Sequence, residues 1–219
     1  MSAIPADRSF IVWVGAALAL VVLMALPLGW LAWVSVSSAT GPTFAHYLAV
    51  FTEPRLQKAL WNTVVMALWV GLAAIAIGAP LAWLTARTDL PGKRLIRGLV
   101  LASFVTPPFL GAFAWVMLAG PNAGLLNKAW RAVTGAEDPL VNIFSMSGLI
   151  FVIAIYTFPY VYVMIANTLE LIASDLEEAA AILGGSRFWV AVTVTLPMVA
   201  PAILSGFILA VLQALALFG

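Results

Sequence analysis

Apolar and polar positions fall in long blocks along this chain, not at the two- or four-residue spacing of a soluble fold. Uncharged stretches run from Ser9 to Thr52, Ala59 to Ala86, Gly98 to Asn127, Pro139 to Leu169 and Phe188 to Gly219, each at least 28 residues long. A spanning helix needs about 20 apolar residues, so each stretch holds one. The pattern predicts an all-α polytopic membrane protein with about five transmembrane helices, at roughly 10–34, 61–84, 99–118, 148–169 and 198–219. The first apolar run exceeds the roughly 7–15 residues of a signal-peptide core and reads as an uncleaved anchor.

Three shorter patterns lie between the blocks. In residues 43–60, Phe44, Tyr47, Leu48 and Phe51 stand at helical spacing, which predicts an amphipathic helix along the membrane surface. Residues 121–135 read as a turn, a short amphipathic helix carrying Leu125, Leu126, Trp130 and Val133, and a terminating glycine. The third is acidic: Glu170, Asp175, Glu177 and Glu178 gather in a chain that is only 9% charged. Ser174-Asp175-Leu176-Glu177 matches a capping box, and the acids of the first turn suit the helix dipole. Leu176, Ala179, Ala180 and Leu183 form one narrow apolar face. Gly184-Gly185 stop the helix, Ser186 caps a second one through Phe188, Trp189 and Val192, and Pro197 and Pro201 mark the passage into the next span.

Charge sets the orientation. Arg87, Lys93, Arg94 and Arg97 crowd one short loop, which the positive-inside rule makes cytoplasmic. The N-terminus is then cytoplasmic, 35–60 and 119–147 lie outside, and 170–197 lies inside. Net charge is +1, which offers no basic patch for nucleic acid. With no cysteine and one histidine, His46, the chain builds no cysteine-based or histidine-rich metal centre, and no cofactor is expected. His46 reads as a loop residue. Gly92-Lys93-Arg94 lacks the upstream glycine and the Ser/Thr of a phosphate-binding loop, so no ATPase site is expected and no catalytic residue is assigned.

The spans carry polar groups without charge. Ser103 and Thr106 precede Pro107-Pro108; Tyr156, Thr157 and Tyr160 surround Pro159; Asn167 and Gln213 follow. Prolines free backbone carbonyls, which is tolerable where these line a cavity. Ser103, Thr106, Tyr156, Thr157, Tyr160 and Gln213 are therefore the candidate lining of a translocation pathway. Tyr156 and Tyr160 as phenolate ligands for ferric iron compete with a simpler role in interhelical hydrogen bonding, and no metal site is assigned. Gly71, Ala74 and Gly78 form a small-residue stripe suited to close helix packing.

Glu178-Ala179-Ala180, three residues, Gly184, nine residues, Val194-Thr195-Leu196-Pro197 resembles the EAA motif, with Val194 in place of the usual isoleucine. That motif marks the permease subunits of binding-protein-dependent ABC importers. The resemblance extends over roughly residues 40–219, through "LWNTVVMAL", "TARTDLPGKRLIR" and "FVTPPFLGAFAWVMLAGPNAGLLN", and looks nearest to permeases of iron(III) importers. It implies a type I permease fold of a bacterial inner membrane. Residues 1–58 would form an N-terminal helix with a periplasmic amphipathic segment, and 59–219 a transport domain with coupling loop 170–197. Glu178, Ala179, Ala180, Gly184, Leu196 and Pro197 would couple to separate ATPase subunits. The implied partners also include a periplasmic or lipoprotein substrate-binding protein and a second permease half or copy. Ferric iron is the expected cargo, with thiamine, polyamine, sulfate or phosphonate as alternatives. Family permeases continue with at least one more span, so the chain reads as a fragment or truncation, of a two-repeat protein or a single-repeat one. The competing class is an ATP-independent secondary transporter, which usually carries intramembrane carboxylates. A membrane-anchored scaffold would leave the EAA spacing unexplained.

Overall fold

A computed structural model describes residues 8–38, 41–172 and 175–217. The chain divides into two compact units, Met1–Trp61 and Asn62–Gly219.

In the first unit, α1 (Arg8–Ser35) is apolar from Phe10 to Val34, and no residue from Val12 to Ser35 is buried. A helix that is greasy on every side and unburied by protein has the surface of a membrane span. It ends in a two-rung hairpin, β1 (Ser37–Ser38) against β2 (Gly41–Pro42), which the sequence reading did not anticipate. The predicted surface helix forms as α2 (Ala45–Thr52), with Phe44, Tyr47, Leu48 and Phe51 exposed. Tyr47 donates from its hydroxyl to Ser35 Oγ at 2.8 Å. His46 lies within α2, its Nε2 3.3 Å from the Ser37 carbonyl.

The second unit is built around three long helices: α3 (Pro54–Arg87), whose first residues lie before the unit boundary, α7 (Met146–Leu171) and α10 (Leu196–Ala216). Lipid supplies no hydrophobic force between spans, so close backbone approach decides their packing. A Cβ on Gly78 would meet Phe158 O at 3.0 Å and Tyr162 N at 3.1 Å. A Cβ on Gly206 of α10 would meet Val161 Cα at 3.0 Å. These two notches let α3 and α10 lie against α7, over a core of Ala74, Ala82, Val161, Ile165, Leu169 and Ala210. The stripe of Gly71, Ala74 and Gly78 is thus a packing face, with Gly71 seated under Phe207 and Val211.

Among the described residues four helices are long and apolar enough to cross a membrane, and a bent pair, counted as one span, brings the number to five. That pair corrects the expected third span. Instead of one rod over 99–118, α4 (Lys93–Ser103) and α5 (Pro108–Ala119) meet at 102°. Pro107 is extended at φ −60°, ψ 129°, and Pro108 opens α5. Two successive residues without N–H, the first pushing Thr106 out of the helical region, cannot continue a helix. The last span also differs. Its helical run begins at Arg187 and continues to Ala216, through α9 (Arg187–Val190), a widened π turn (Ala191–Thr195) and α10. Pro197 therefore lies inside a continuous helical path. The Leu196 N–H reaches back five residues to Ala191 O, and this wider turn leaves room for a proline that lacks an N–H.

The segment between α5 and α7 is ordered by two side chains, Asn127 and Arg131. Asn127, fully buried on α6 (Leu125–Thr134), donates to Gly120 O and Val141 O at 2.8 Å each, and accepts from Val141 N at 3.0 Å. Arg131 holds the carbonyls of Pro121, Asn122 and Glu137. Gly135 ends the helix at φ 68°, as its place in the sequence predicts.

Candidate functional site

The acidic corner begins with α8 (Asp175–Ile182). The predicted Ser174 cap lies outside the described residues. Gly184 takes φ 90°, a conformation costly for any residue with a Cβ. Gly185 N donates to Ala180 O at 3.1 Å and Gly184 N to Ala181 O at 3.0 Å. This is the paired bonding of a Schellman stop. The two glycines serve different ends: Gly184 supplies the left-handed turn, and Gly185 supplies space, since a Cβ there would meet Ala180 O and Trp189 Cε3 at 2.9 Å. Ser186 accepts from Trp189 N at 3.2 Å and so starts α9 as expected.

The predicted apolar face of α8 has no covering element among the described residues. Of that face Leu176, Ala179 and Leu183 are exposed and Ala180 is half-buried; Ile182, beside the face, is exposed as well, by 86% against 88% for Leu183, and Phe188 across the turn by 80%. A corner with this much bare apolar surface has the character of a docking site.

The two neighbouring acids of α8 differ in burial and partners. Glu178 is exposed and has no hydrogen bond or ion pair among the described residues. Glu177 turns inward. Its Oε1 accepts from Thr195 Oγ1 at 2.8 Å and lies 3.1 Å from Arg87 Nε, an ion-pair contact off the angle of a hydrogen bond. Arg87 Nη2 also donates to Ile172 O at 3.1 Å. Thr195, in the π turn, is 1% exposed. A cleft of about 720 Å³ runs alongside, lined in part by Arg87, Asp89, Glu177, Glu178, Arg187 and Thr195. Leu196 is exposed where α10 begins, and Pro197 follows it.

The candidate pathway residues do not form one cluster. Ser103 Oγ donates to Val100 O at 2.6 Å at the end of α4, and Thr106 is exposed within the bend. Tyr160 packs edge-on against Phe104, ring centroids 4.9 Å apart, beside that bend. Tyr156 fits a notch at Gly111 of α5, where a Cβ would come within 1.3 Å of its hydroxyl oxygen. These two tyrosines seat the broken span on α7. Thr157 is buried, with its hydroxyl donating to Ile153 O of its own helix at 2.9 Å. Gln213 is half-buried on α10, and Asn167 is exposed beside the Arg97–Glu170 ion pair.

Besides the Asn127 and Arg131 contacts of the α6 segment, sequence reasoning missed two polar links. One is the Arg87–Glu177–Thr195 group, because Arg87 had counted only as a topology signal. The other joins Thr85 Oγ1 to Tyr162 Oη at 3.0 Å, with both residues buried between α3 and α7. Thr85 sits one turn below Leu81 on the stripe side of α3, a faint sequence clue that only the helix pairing makes legible.

The family described as binding-protein-dependent transport system inner membrane component matches residues 74–218. The molybdenum transport system permease protein ModB of Escherichia coli is 31% identical over 172 residues, which cover 78% of this chain and 72% of that protein. The sulfate transport system permease protein CysW of Escherichia coli is 30% identical over 167 residues, covering 76% of this chain and 55% of its own length. Among solved structures, a bacterial ABC transporter involved in the import of the acidic polysaccharide alginate superposes with a TM-score of 0.67 at 16% identity, over 93% of this chain and 73% of that one. At that identity the likeness speaks for the fold alone.

Proposed function

The chain belongs to the family of binding-protein-dependent transport system inner membrane components, a multi-pass ABC importer permease subunit, and from that premise we propose how its parts divide the work. The acidic corner docks on a separate ATP-binding subunit. Ile182, Leu183 and Phe188 enter a groove of that subunit, and Glu178 remains outward to meet a basic side chain there. Residues 59–219 form the transport domain, with a second permease half or copy completing the pathway and a substrate-binding protein delivering cargo from outside. The N-terminus and the corner then face the cytoplasm. One observation carries this reading: a corner closed by Gly184 presents exposed apolar side chains, Ile182, Leu183 and Phe188, beside the exposed Glu178, unpaired among the described residues.

The cargo in this proposal is a small tetrahedral oxyanion of the sulfate type. Both reported relatives support it, since soluble molybdenum is the molybdate dianion, close to sulfate in shape and charge. Ferric iron, expected from the sequence, draws no support from them. Tyr156 and Tyr160 are also turned to Gly111 and Phe104, which argues against phenolate ligation of a hard cation. The test is uptake into vesicles carrying the permease and its ATPase, supplied with binding protein and labelled molybdate, sulfate or ferric citrate. ATP-dependent uptake of an oxyanion supports the proposal. Uptake of iron alone overturns the cargo, and uptake without ATPase overturns the mechanism.

A further inference from the structure

We infer that Arg87 is a positioning residue that makes the docking corner move as one body with the spans, by pinning Glu177 and Thr195 to the end of α3. This rests on the coupling reading above and adds the internal link it needs. A docking helix transmits force only if it cannot swivel about its own connections. Here α8 is joined to α7 through residues 172–174 and to α9 through the Gly184-Gly185 turn, and a glycine turn alone is a pliant joint.

The Arg87 group stiffens that joint from inside. Arg87 is the last residue of α3, Ile172 follows the last residue of α7, Glu177 lies in the first turns of α8, and Thr195 closes the π turn before α10. One guanidinium contacts Glu177 Oε1 at 3.1 Å and Ile172 O at 3.1 Å. The same carboxylate oxygen receives the Thr195 hydroxyl at 2.8 Å. Four chain segments thus converge on two side chains. The side chains of Arg87 and Glu177 are only 15% and 21% exposed, so water competes poorly for the contact. The planar fork of arginine is suited to hold two acceptors at once, which a lysine ammonium does less well. The neighbouring acids divide the task, with Glu177 bound to the bundle and Glu178 exposed and unpaired among the described residues.

The experiment uses the whole transporter in lipid vesicles, with cargo moved per ATP hydrolysed and ATPase retained on the permease as its two readouts. Arg87→Glu and Glu177→Arg should each lower cargo per ATP by about fivefold or more, the lower range of energetic coupling between sites, with the ATPase still bound. The two substitutions together should bring the ratio back toward wild type, and Arg87→Lys should fall between. Unchanged ratios in the single variants, or a failed charge swap in an assembled transporter, overturn the inference. If the charge variants do not fold, Thr195→Val decides: it removes one hydroxyl, and an unchanged ratio overturns the link. A wild-type transporter that shows no ATP hydrolysis stimulated by binding protein overturns the function reading itself, whereas effects confined to the variants bear on Arg87 alone.

Discussion

Thr85 and Tyr162 face each other across α3 and α7, hydroxyl to hydroxyl at 3.0 Å, with 1% and 3% of their surfaces exposed. Thr85 also reaches back to Leu81 O and Ala82 O, so the pair closes a short polar chain inside an otherwise apolar interface. Tyr162→Phe and Thr85→Val should each destabilise the protein, and a double-mutant cycle should return an interaction of about 0.6–1.7 kcal/mol, the range for polar contacts between membrane helices. Unfolding in mixed micelles measures it. Strict additivity would mean that the two hydroxyls do not cooperate.

Gly184 should tolerate no side chain. Alanine there must adopt φ near 90° at a cost of about 1–2 kcal/mol, and a β-branched valine more. The expected outcome for Gly184→Val is a permease that folds in its spans but no longer co-purifies with its ATPase. Gly98→Ala is the control. Gly98 has open space around its Cβ direction on α4, so alanine there should leave assembly intact.

Glu178→Lys reverses a charge with no partner inside the described chain. Thermal stability of the isolated permease should therefore be nearly unchanged, as for most exposed substitutions. ATPase binding should fall, and titration of the complex at rising salt should show the wild-type contact weakening while the variant changes little. A variant that binds the ATPase as well as wild type would remove Glu178 from the docking surface.

Gly111→Ala places a methyl group where the Tyr156 hydroxyl lies, 1.3 Å away. The ring or α5 must move, and overpacking of this kind costs about 1–3 kcal/mol. The variant should unfold at lower temperature and transport poorly. Combined with Tyr156→Ala it should lose less than the sum of the two single effects, because the clash is then gone.

Asn127→Ala removes the side chain that joins Gly120 and Val141. Leaving buried backbone groups without partners costs about 1–3 kcal/mol. Hydrogen exchange should rise across residues 119–143 while α7 remains protected. Equal exchange in both proteins would show that Arg131 alone orders this segment.

Much of this was legible from residue pattern. The charge-free blocks located the spans, because burial of a helix in lipid demands about 20 apolar residues in a row. Ser186, Gly135 and the Gly184-Gly185 stop were read correctly because caps act locally, within a turn of the residues that make them. Pro107-Pro108 signalled a break, yet not its size, since the 102° angle depends on how Tyr160 and Tyr156 seat the two halves. Pairings such as Arg87 with Glu177 were illegible for a different reason. Glu177 fits a capping box equally well, and only the approach of α3 to the corner selects the other partner.

The π turn at Ala191–Thr195 has one more consequence. Each residue of an ordinary helix advances the side chains by about 100° around the axis, so one extra residue in a turn offsets everything after it by that amount. The face that α9 presents at the corner and the face that α10 presents to α7 are therefore set out of phase, like two gears on a shaft keyed at different angles. Deleting a single residue between Ala191 and Thr195 would realign them and rotate Gly206 away from Val161. The length of this short segment thus sets how corner and span are turned about their shared axis.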